Sequence, residues 1–445
     1  MAGIFKAYDI RGIYPDPLDE EMAENIGISF GNLLDPGTVV IGHDMRDVAI
    51  PISEAFVDGL RAVGQDVIDI GLCSTPMNYS AIGHFDAEGG VMVTASHNPS
   101  EYIGFKLSRD QAKPIAYETG INKIEEDVET GTLPTTDGIG SYREESYLDL
   151  YCEHILSFAE EIRDLNIVID TGNGMGGLTV PEIYGELPVT VTPLFFELDG
   201  SFPNHTPNPI ENENMRDLQE AVRNGNYDLG MAFDGDADRV AFVDENGSII
   251  PSDLITALLS GPILEKFPGE TIVYDLRSSQ VVPEIVKEHG GKPVRHRVGH
   301  AYMKAKLREE NAPFGGELSG HYYFRENYFT DCGMIASLYL LNFLSRKQKP
   351  FSELIEPLKT YSPSGEINFK VEDKQAAMEA LAEAFSDGDV DWLDGVSVQY
   401  ENWWFNVRPS NTEPYLRLNL EAKTEEKMEK KKRAVTEVID EYVSS

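Results

Sequence analysis

The strongest constraint on this chain is a repeating order of signals: a short β-branched run, a turn, then apolar residues at helical spacing. Val39, Val40 and Ile41 form such a run ending at Gly42, Pro51 to Val63 carries the helical spacing, and Asp66 to Ile70 is again strand-like. A strand, a covering helix and a second strand in that order build a parallel sheet. The order restarts at Leu165 to Asp170, after a charged, helix-like stretch from Glu144 to Leu165, which puts a domain boundary near residue 145. It starts a third time near Ser252, with Leu254 to Leu264 helical and Thr271 to Tyr274 strand-like. Lys347 to Ser364, with three prolines and a glycine just beyond, reads as a linker into a last domain. There Leu416, Leu418 and Leu420 alternate as in a strand, and Thr424 is placed to cap a following helix. A chain of 445 residues exceeds the roughly 250 to 300 at which one core stops growing, so two to four domains are expected.

Against 76 acidic residues stand 37 basic ones, a formal net charge of −39. Such a chain repels a nucleic-acid backbone and no basic patch dominates it, so no nucleic-acid partner is expected. It is nevertheless a folding sequence, because 41% of its residues are hydrophobic. Cys73, Cys152 and Cys332 are far apart and odd in number, which fits neither a disulfide framework nor a zinc site. With no signal-peptide core and no run of 18 apolar residues, the sequence reads as soluble and cytoplasmic, without a membrane partner. The acidic excess reads as adaptation to a high-salt cytosol, where screening tolerates a dense carboxylate surface; the plain alternative is an ordinary acidic enzyme. The basic run Lys427 to Arg433 lies among glutamates and reads as a solvated helix face.

Five constellations could carry chemistry. In Asp234-Gly235-Asp236-Ala237-Asp238-Arg239, an extended loop would send three carboxylates to one side, as a hard divalent cation requires. Its rival is an EF-hand, for which Glu245 falls at position 12, but position 6 must be glycine and is Arg239. Strand-like flanks and the turn signal Glu245-Asn246-Gly247 favour an open metal site, which suits Mg²⁺ and a phosphate oxygen. The second is Ser96-His97-Asn98-Pro99 at the end of an apolar strand, a candidate nucleophile or phosphoryl carrier with Lys106 close behind. The third, Arg408-Pro409-Ser410-Asn411-Thr412 with Arg417, concentrates donors that match phosphate oxygens. In the fourth, Glu317 and Ser319 alternate along an extended stretch ending at Gly320 and His321, and pair an acceptor with a hydroxyl, as sugar recognition demands. The fifth, Gly172, Gly174 and Gly177 after a strand with Glu197 and Asp199 beyond, opens a rival reading: an NAD-dependent dehydrogenase. That reading leaves the aspartate loop and the Arg408 loop without a purpose.

Taken together, these segments resemble the α-D-phosphohexomutase family, in its phosphomannomutase/phosphoglucomutase branch, from Phe5-Lys6-Ala7-Tyr8-Asp9-Ile10-Arg11-Gly12 to the Arg408 loop. The resemblance implies an α/β protein of four domains, three similar α/β units with mixed sheets plus a smaller C-terminal α+β domain, around a central cleft. Their expected bounds are 1–145, bearing a phosphoserine; 146–250, binding the metal; 251–358, recognising sugar; and 359–445, binding phosphate. It further implies that Ser96 is the phosphorylated serine and, with Asp234, Asp236 and Asp238, holds Mg²⁺. Glu317, Ser319, His321 and Arg277 would contact the hexose phosphate, and Arg408, Ser410, Asn411, Thr412 and Arg417 its non-reacting phosphate. Arg11, His97, Asn98, Lys106, Arg239 and His300 would surround the reacting phosphate.

The activity so implied interconverts hexose 1-phosphate and hexose 6-phosphate through a hexose 1,6-bisphosphate, which also serves as activator. The proton acceptor is left open among Lys106, Arg11 and His300, and the assembly between monomer and homodimer. Three departures from the family pattern touch sugar recognition more than reaction type: Asp47 after Gly42-His43-Asp44-Met45-Arg46, Asp331-Cys332-Gly333 in place of a paired-aspartate step, and Arg277 where many relatives carry lysine. Glu317-Leu318-Ser319 favours mannose and glucose phosphates, with a phosphoglucosamine mutase as the alternative. A phosphatase that hydrolyses its phosphoserine would use the same groups.

Overall fold

A computed structural model describes residues 3–410 and 415–443. Four sheets follow one another along the chain. The first orders its strands Ile10–Ile13, Tyr102–Arg109, Gly89–Val93, Thr38–His43, Asp66–Leu72 and Tyr142–Glu144. The second runs Ile249–Ile250, Val240–Asp244, Leu229–Phe233, Leu165–Asp170, Val189–Leu194, and the third Lys292–His296, Thr271–Asp275, Phe314–Gly316, Tyr322–Phe324, Thr330–Asp331. The fourth is antiparallel throughout, Ser362–Lys370, Tyr415–Ala422, Trp403–Pro409, Val396–Tyr400, Asp389–Asp391, and carries the helices Lys374–Ala384 and Glu425–Asp440.

The first three units share one topology. In each, three parallel strands stand in the order second, first, third, as βαβ connections produce, and a fourth pairs antiparallel with the third. The chain between third and fourth strand is therefore a loop at the carboxyl end of a parallel strand, where open α/β sheets bind ligands. Those loops are residues 94–101, 234–239 and 317–321, and each contains one of the constellations above.

One buried apolar cluster runs unbroken through all three units, from Ile68 and Met77 through Ile167 and Phe233 to Phe314 and Leu340. Lys347 to Ser364 is not an open linker. It folds into a helix, Phe351–Ile355, and a tight turn, and Phe351, Ile355 and Leu358 complete the same cluster. Pro350 and Pro357 stand at the starts of those turns, where the missing N–H costs nothing. The C-terminal unit has its own core around Leu381, Phe405 and Leu418. It meets the third through polar contacts: Arg295 with Asp391, Val298 N to Asp394 at 3.3 Å, and Gln280 N to Glu421 at 3.0 Å. Among the described residues, no helix is long and apolar enough to cross a membrane.

Candidate active site

Ser96 ends the apolar strand Gly89–Val93 three residues on, and its φ of +51° turns the chain sharply at a non-glycine position. Such a conformation persists where the surroundings over-determine it. Here Arg46, 2% exposed, donates to the carbonyls of Ser96 (3.0 Å), Asn98 (2.7 Å), Pro99 (2.7 Å) and Tyr102 (3.0 Å). Asp44 orients that guanidinium at 3.2 Å and accepts from Thr94 at 2.6 Å, while Thr94 Oγ1 accepts from Ser96 N. The serine hydroxyl so held donates to Asp234 at 3.0 Å and lies 3.2 Å from His97 Nδ1.

The aspartate loop converges as expected but not by being extended. It is a turn with Ala237 at φ +61°, and each of Asp234, Asp236 and Asp238 brings a buried carboxylate oxygen within 4.8 Å of the others. Gly235 lets it approach: a Cβ there would sit 2.4 Å from Ser96 O. Burial, then the charges of Asp238 and Asp236, push the Asp234 carboxyl well above the usual range. Oδ1 of Asp236 and of Asp238 make no hydrogen bond. Converging, unsatisfied, mutually repelling oxygen donors fit a hard divalent cation. Glu245 instead bonds the backbone and hydroxyl of Ser352, so it completes no EF-hand.

Cations already counter this charge. Lys106 Nζ reaches Asp236 and Asp238 at 2.6 Å each, and although burial opposes its charge, these carboxylates raise its pKa well above the ordinary value. Thr75, at the start of the helix Thr75–His84, donates to Asp236 at 2.5 Å. Arg239 lies 3.6 Å from Asp234 and donates to His321 Nε2 at 3.2 Å. Asp238, His321 and Asp331 also converge, but Lys304 pairs with Asp331 at 2.8 Å and Arg239 takes the imidazole nitrogen, so this trio is an ion-pair network. Arg11 pairs with Asp9 at 2.5 Å and bonds Asn98. Together with Tyr8, His97, Asn98, Lys106, Arg239, Arg297 and His300 it lines a cleft of about 1000 Å³. Burial, then Arg239 and Arg11, hold the His97 imidazole well below its usual pKa.

Glu317 and Ser319 also lie on a tight turn, closed by Gly320 N to Glu317 O at 3.1 Å, and not on an extended stretch. Gly320, at φ +83°, and its glycine neighbours before the turn favour closure. Glu317 is 1% exposed; it accepts from Gly299 N at 2.9 Å and Tyr323 Oη at 2.5 Å. Ser319 Oγ lies 2.9 Å from His321 Nδ1, and a backbone bridge between Arg239 and His321 fastens this turn to the aspartate loop.

Arg277, Arg408 and Arg417 form a second cluster. Arg277 grips Asp275 through Nε at 3.3 Å and Nη2 at 2.7 Å. Glu366 bridges the other two, at 3.2 Å to Arg408 and 3.1 Å to Arg417, which are cross-strand neighbours. Burial, then the nearby Arg277, lowers the Arg408 pKa. Ser410 stands two residues after Arg408 and is buried; Asn411 and Thr412 lie outside the described residues.

The glycine-rich loop finds a different use from nucleotide binding. Met175 N donates to Gly235 O at 2.8 Å, and a Cβ on Gly174 would strike that same oxygen at 2.6 Å, so these glycines seat the aspartate loop. Sequence reasoning missed Arg46, Thr75, Arg297 and Tyr8. Arg46 had a readable signal, an Asp-x-Arg placed just past a strand end; Thr75 had none.

Four family models match consecutive stretches: the α/β/α domains I, II and III of phosphoglucomutase/phosphomannomutase at residues 2–135, 146–247 and 251–361, and the C-terminal domain of the same family at 366–438. A protein of Xanthomonas campestris pv. campestris named phosphohexose mutases is 42% identical over 424 residues, covering 94% of this chain and 95% of that protein. A phosphomannomutase of Methanocaldococcus jannaschii is 38% identical over 98% of this chain and 97% of its own length. Among solved structures, a phosphoglucomutase/phosphomannomutase family protein from Burkholderia thailandensis superposes with a TM-score of 0.91 at 33% identity, covering 98% of this chain and 96% of that one.

Proposed function

The chain belongs to the phosphoglucomutase/phosphomannomutase family, and we propose that it is a phosphohexomutase interconverting the 1- and 6-phosphates of mannose and glucose. The observation that carries this reading is Ser96, held in a left-handed turn with its hydroxyl 3.0 Å from one carboxylate of a converging trio and cations all round. In this reading the resting enzyme carries a phosphoryl group on Ser96 Oγ. The free hydroxyl of a hexose phosphate attacks that phosphorus, the P–Oγ bond breaks, a P–O bond to the sugar forms, and the hydroxyl proton passes to an acceptor in the cleft. The bisphosphate turns over, Oγ attacks the other phosphorus, the P–O bond to the sugar breaks as the new P–Oγ bond forms, and the sugar oxygen takes the proton back as the isomer leaves. Ser96, Asp234, Asp236 and Asp238 would hold Mg²⁺, which when bound would neutralise charge on the transferring oxygens. Arg11, Arg239 and His97 surround those oxygens, while Arg408 and Arg417 take the distal phosphate in either orientation. The polar junction of the C-terminal unit suits the movement this requires.

The same reading divides the chain at 1–145, 146–250, 251–358 and 359–445 and places it in the cytosol, in keeping with three buried free thiols. The decisive assay supplies mannose 1-phosphate with a catalytic amount of hexose 1,6-bisphosphate. Mannose 6-phosphate is expected; free phosphate without isomer would mark a phosphatase and end the proposal. A panel with glucose and glucosamine 1-phosphates, run at low and high KCl, ranks the sugars. Turnover that rises with KCl supports the high-salt origin of the −39 charge, and turnover that only falls makes that charge incidental.

A further inference from the structure

One fully buried cation beside the cleft has no part in the scheme above. Lys304 lies one turn after His300 on the helix His300–Glu310 and has no exposed surface. Its ammonium pairs with Asp331 at 2.8 Å, stands 4.0 Å from the ring centroid of Tyr79, and is 3.4 Å from His300 Nδ1. Burial draws the pKa of Lys304 down, but the Asp331 carboxylate and the Tyr79 face favour the charged form. An ammonium only donates, so a ring nitrogen that bonds to it must accept, and a neutral ring in that bond carries its single proton on Nε2.

The rest of the setting keeps the ring neutral. Tyr8 meets His300 edge-on at 5.4 Å, His321 stacks on it at 6.2 Å, and the charge of Lys106 outweighs that of Asp238, which alone among these groups favours the protonated ring. Burial, then Lys304 and Lys106, hold its pKa well below the ordinary histidine value. Its place at the first residue of a helix, beside the positive end of the dipole, acts in the same direction.

We propose that Lys304 is a positioning residue that locks His300 in the Nε2–H tautomer, so that His300 serves as a neutral hydrogen-bond donor to a phosphoryl oxygen and not as the proton acceptor. This rests on the mutase reading and sharpens it. His300 is thereby set aside as the proton acceptor. A neutral donor suits the task, because it stabilises charge gathering on phosphoryl oxygens without giving up its proton.

Nitrogen chemical shifts of the full chain labelled with ¹⁵N-histidine report the tautomer directly, without substrate. The expected result is His300 as Nε2–H in the parent protein. Lys304→Met combined with Asp331→Asn removes the donor and the buried charge together, and is expected to release a mixture containing Nδ1–H and to lower kcat about tenfold. Lys304→Arg keeps a donor-only cation opposite Asp331, and is expected to retain Nε2–H and most of kcat. Nδ1–H or imidazolium in the parent, or an unchanged tautomer in the methionine pair, overturns the proposal. If the methionine pair does not fold, Lys304→Gln with Asp331→Asn decides: its amide can donate or accept, a tautomer mixture is expected, and unchanged Nε2–H overturns the proposal. Failure of the mutase reading would show only in the turnover assay, so the two are distinguishable.

Discussion

Two charged clusters, one at each end of the proposed substrate, are built with opposite signs. At the serine end the fixed groups are three buried carboxylates, and an ammonium, Lys106, lies between two of them. At the Arg408 end the fixed groups are guanidiniums, and a carboxylate, Glu366, lies between Arg408 and Arg417. Each end thus carries a counter-ion from the chain itself, of the sign its ligand would bring. The difference lies in rigidity and access. The serine end is fully buried and shared between the first two units, whereas Glu366 is 29% exposed and sits on a unit with its own core. In the proposed reaction the serine end makes and breaks bonds, which needs fixed geometry, and the Arg408 end, whose counter-ion is part-exposed, grips and releases a phosphate.

If that division is right, substitutions at the two ends separate kcat from KM. The largest effect is Ser96→Ala, expected to lower kcat by roughly 10⁴-fold or more with folding intact; full activity would remove Ser96 from the reaction. Next, Lys106→Met leaves Asp236 and Asp238 without their buried partner. It should cost about 3–5 kcal/mol in unfolding experiments with EDTA and clearly less with saturating Mg²⁺; a loss indifferent to the metal would mean that the two cations do not answer the same carboxylates. Arg408→Lys keeps the charge but loses the fork, and should raise KM about 10- to 100-fold with kcat nearly kept. A fall in kcat at unchanged KM would abolish the contrast between the ends. The mildest test is Glu366→Gln, which should tighten competitive inhibition by inorganic phosphate about two- to fivefold, since an internal competitor has been neutralised.

Much of this was legible in the sequence, for identifiable reasons. Loops that carry chemistry need particular residue types, so the three aspartates and the Arg408 loop stood out as motifs, whereas Ser96 stood out only beside Lys106 and the aspartate loop. Period and β-branching located Thr38–His43, Leu165–Asp170 and Tyr415–Ala422 to within two residues. Backbone shape was harder. The aspartate loop and the Glu317 turn are both tight where alternation suggested extension, because a left-handed Ala237 and Gly320 close them. The proline-rich stretch after Lys347 became a buried helix because tertiary contact with Phe351 and Ile355 outweighed local turn signals. Arg46 showed only its Asp-x-Arg signal and Lys304 none, since their importance lies in partners 50 and 27 residues away, Ser96 and Asp331.

The common hairpin junction of the three α/β units has one more consequence. Each loop leaves a parallel strand and returns on an antiparallel neighbour whose register is fixed by the sheet, so its ends stay in place whatever lies between them. The molecule is in effect one socket used three times, holding a serine, three aspartates and a Glu-x-Ser turn. In the proposed reaction a change in the third socket would retune which hexose is accepted while the other two keep their chemistry, which would make residues 317–321 the natural place for this scaffold to acquire a new substrate.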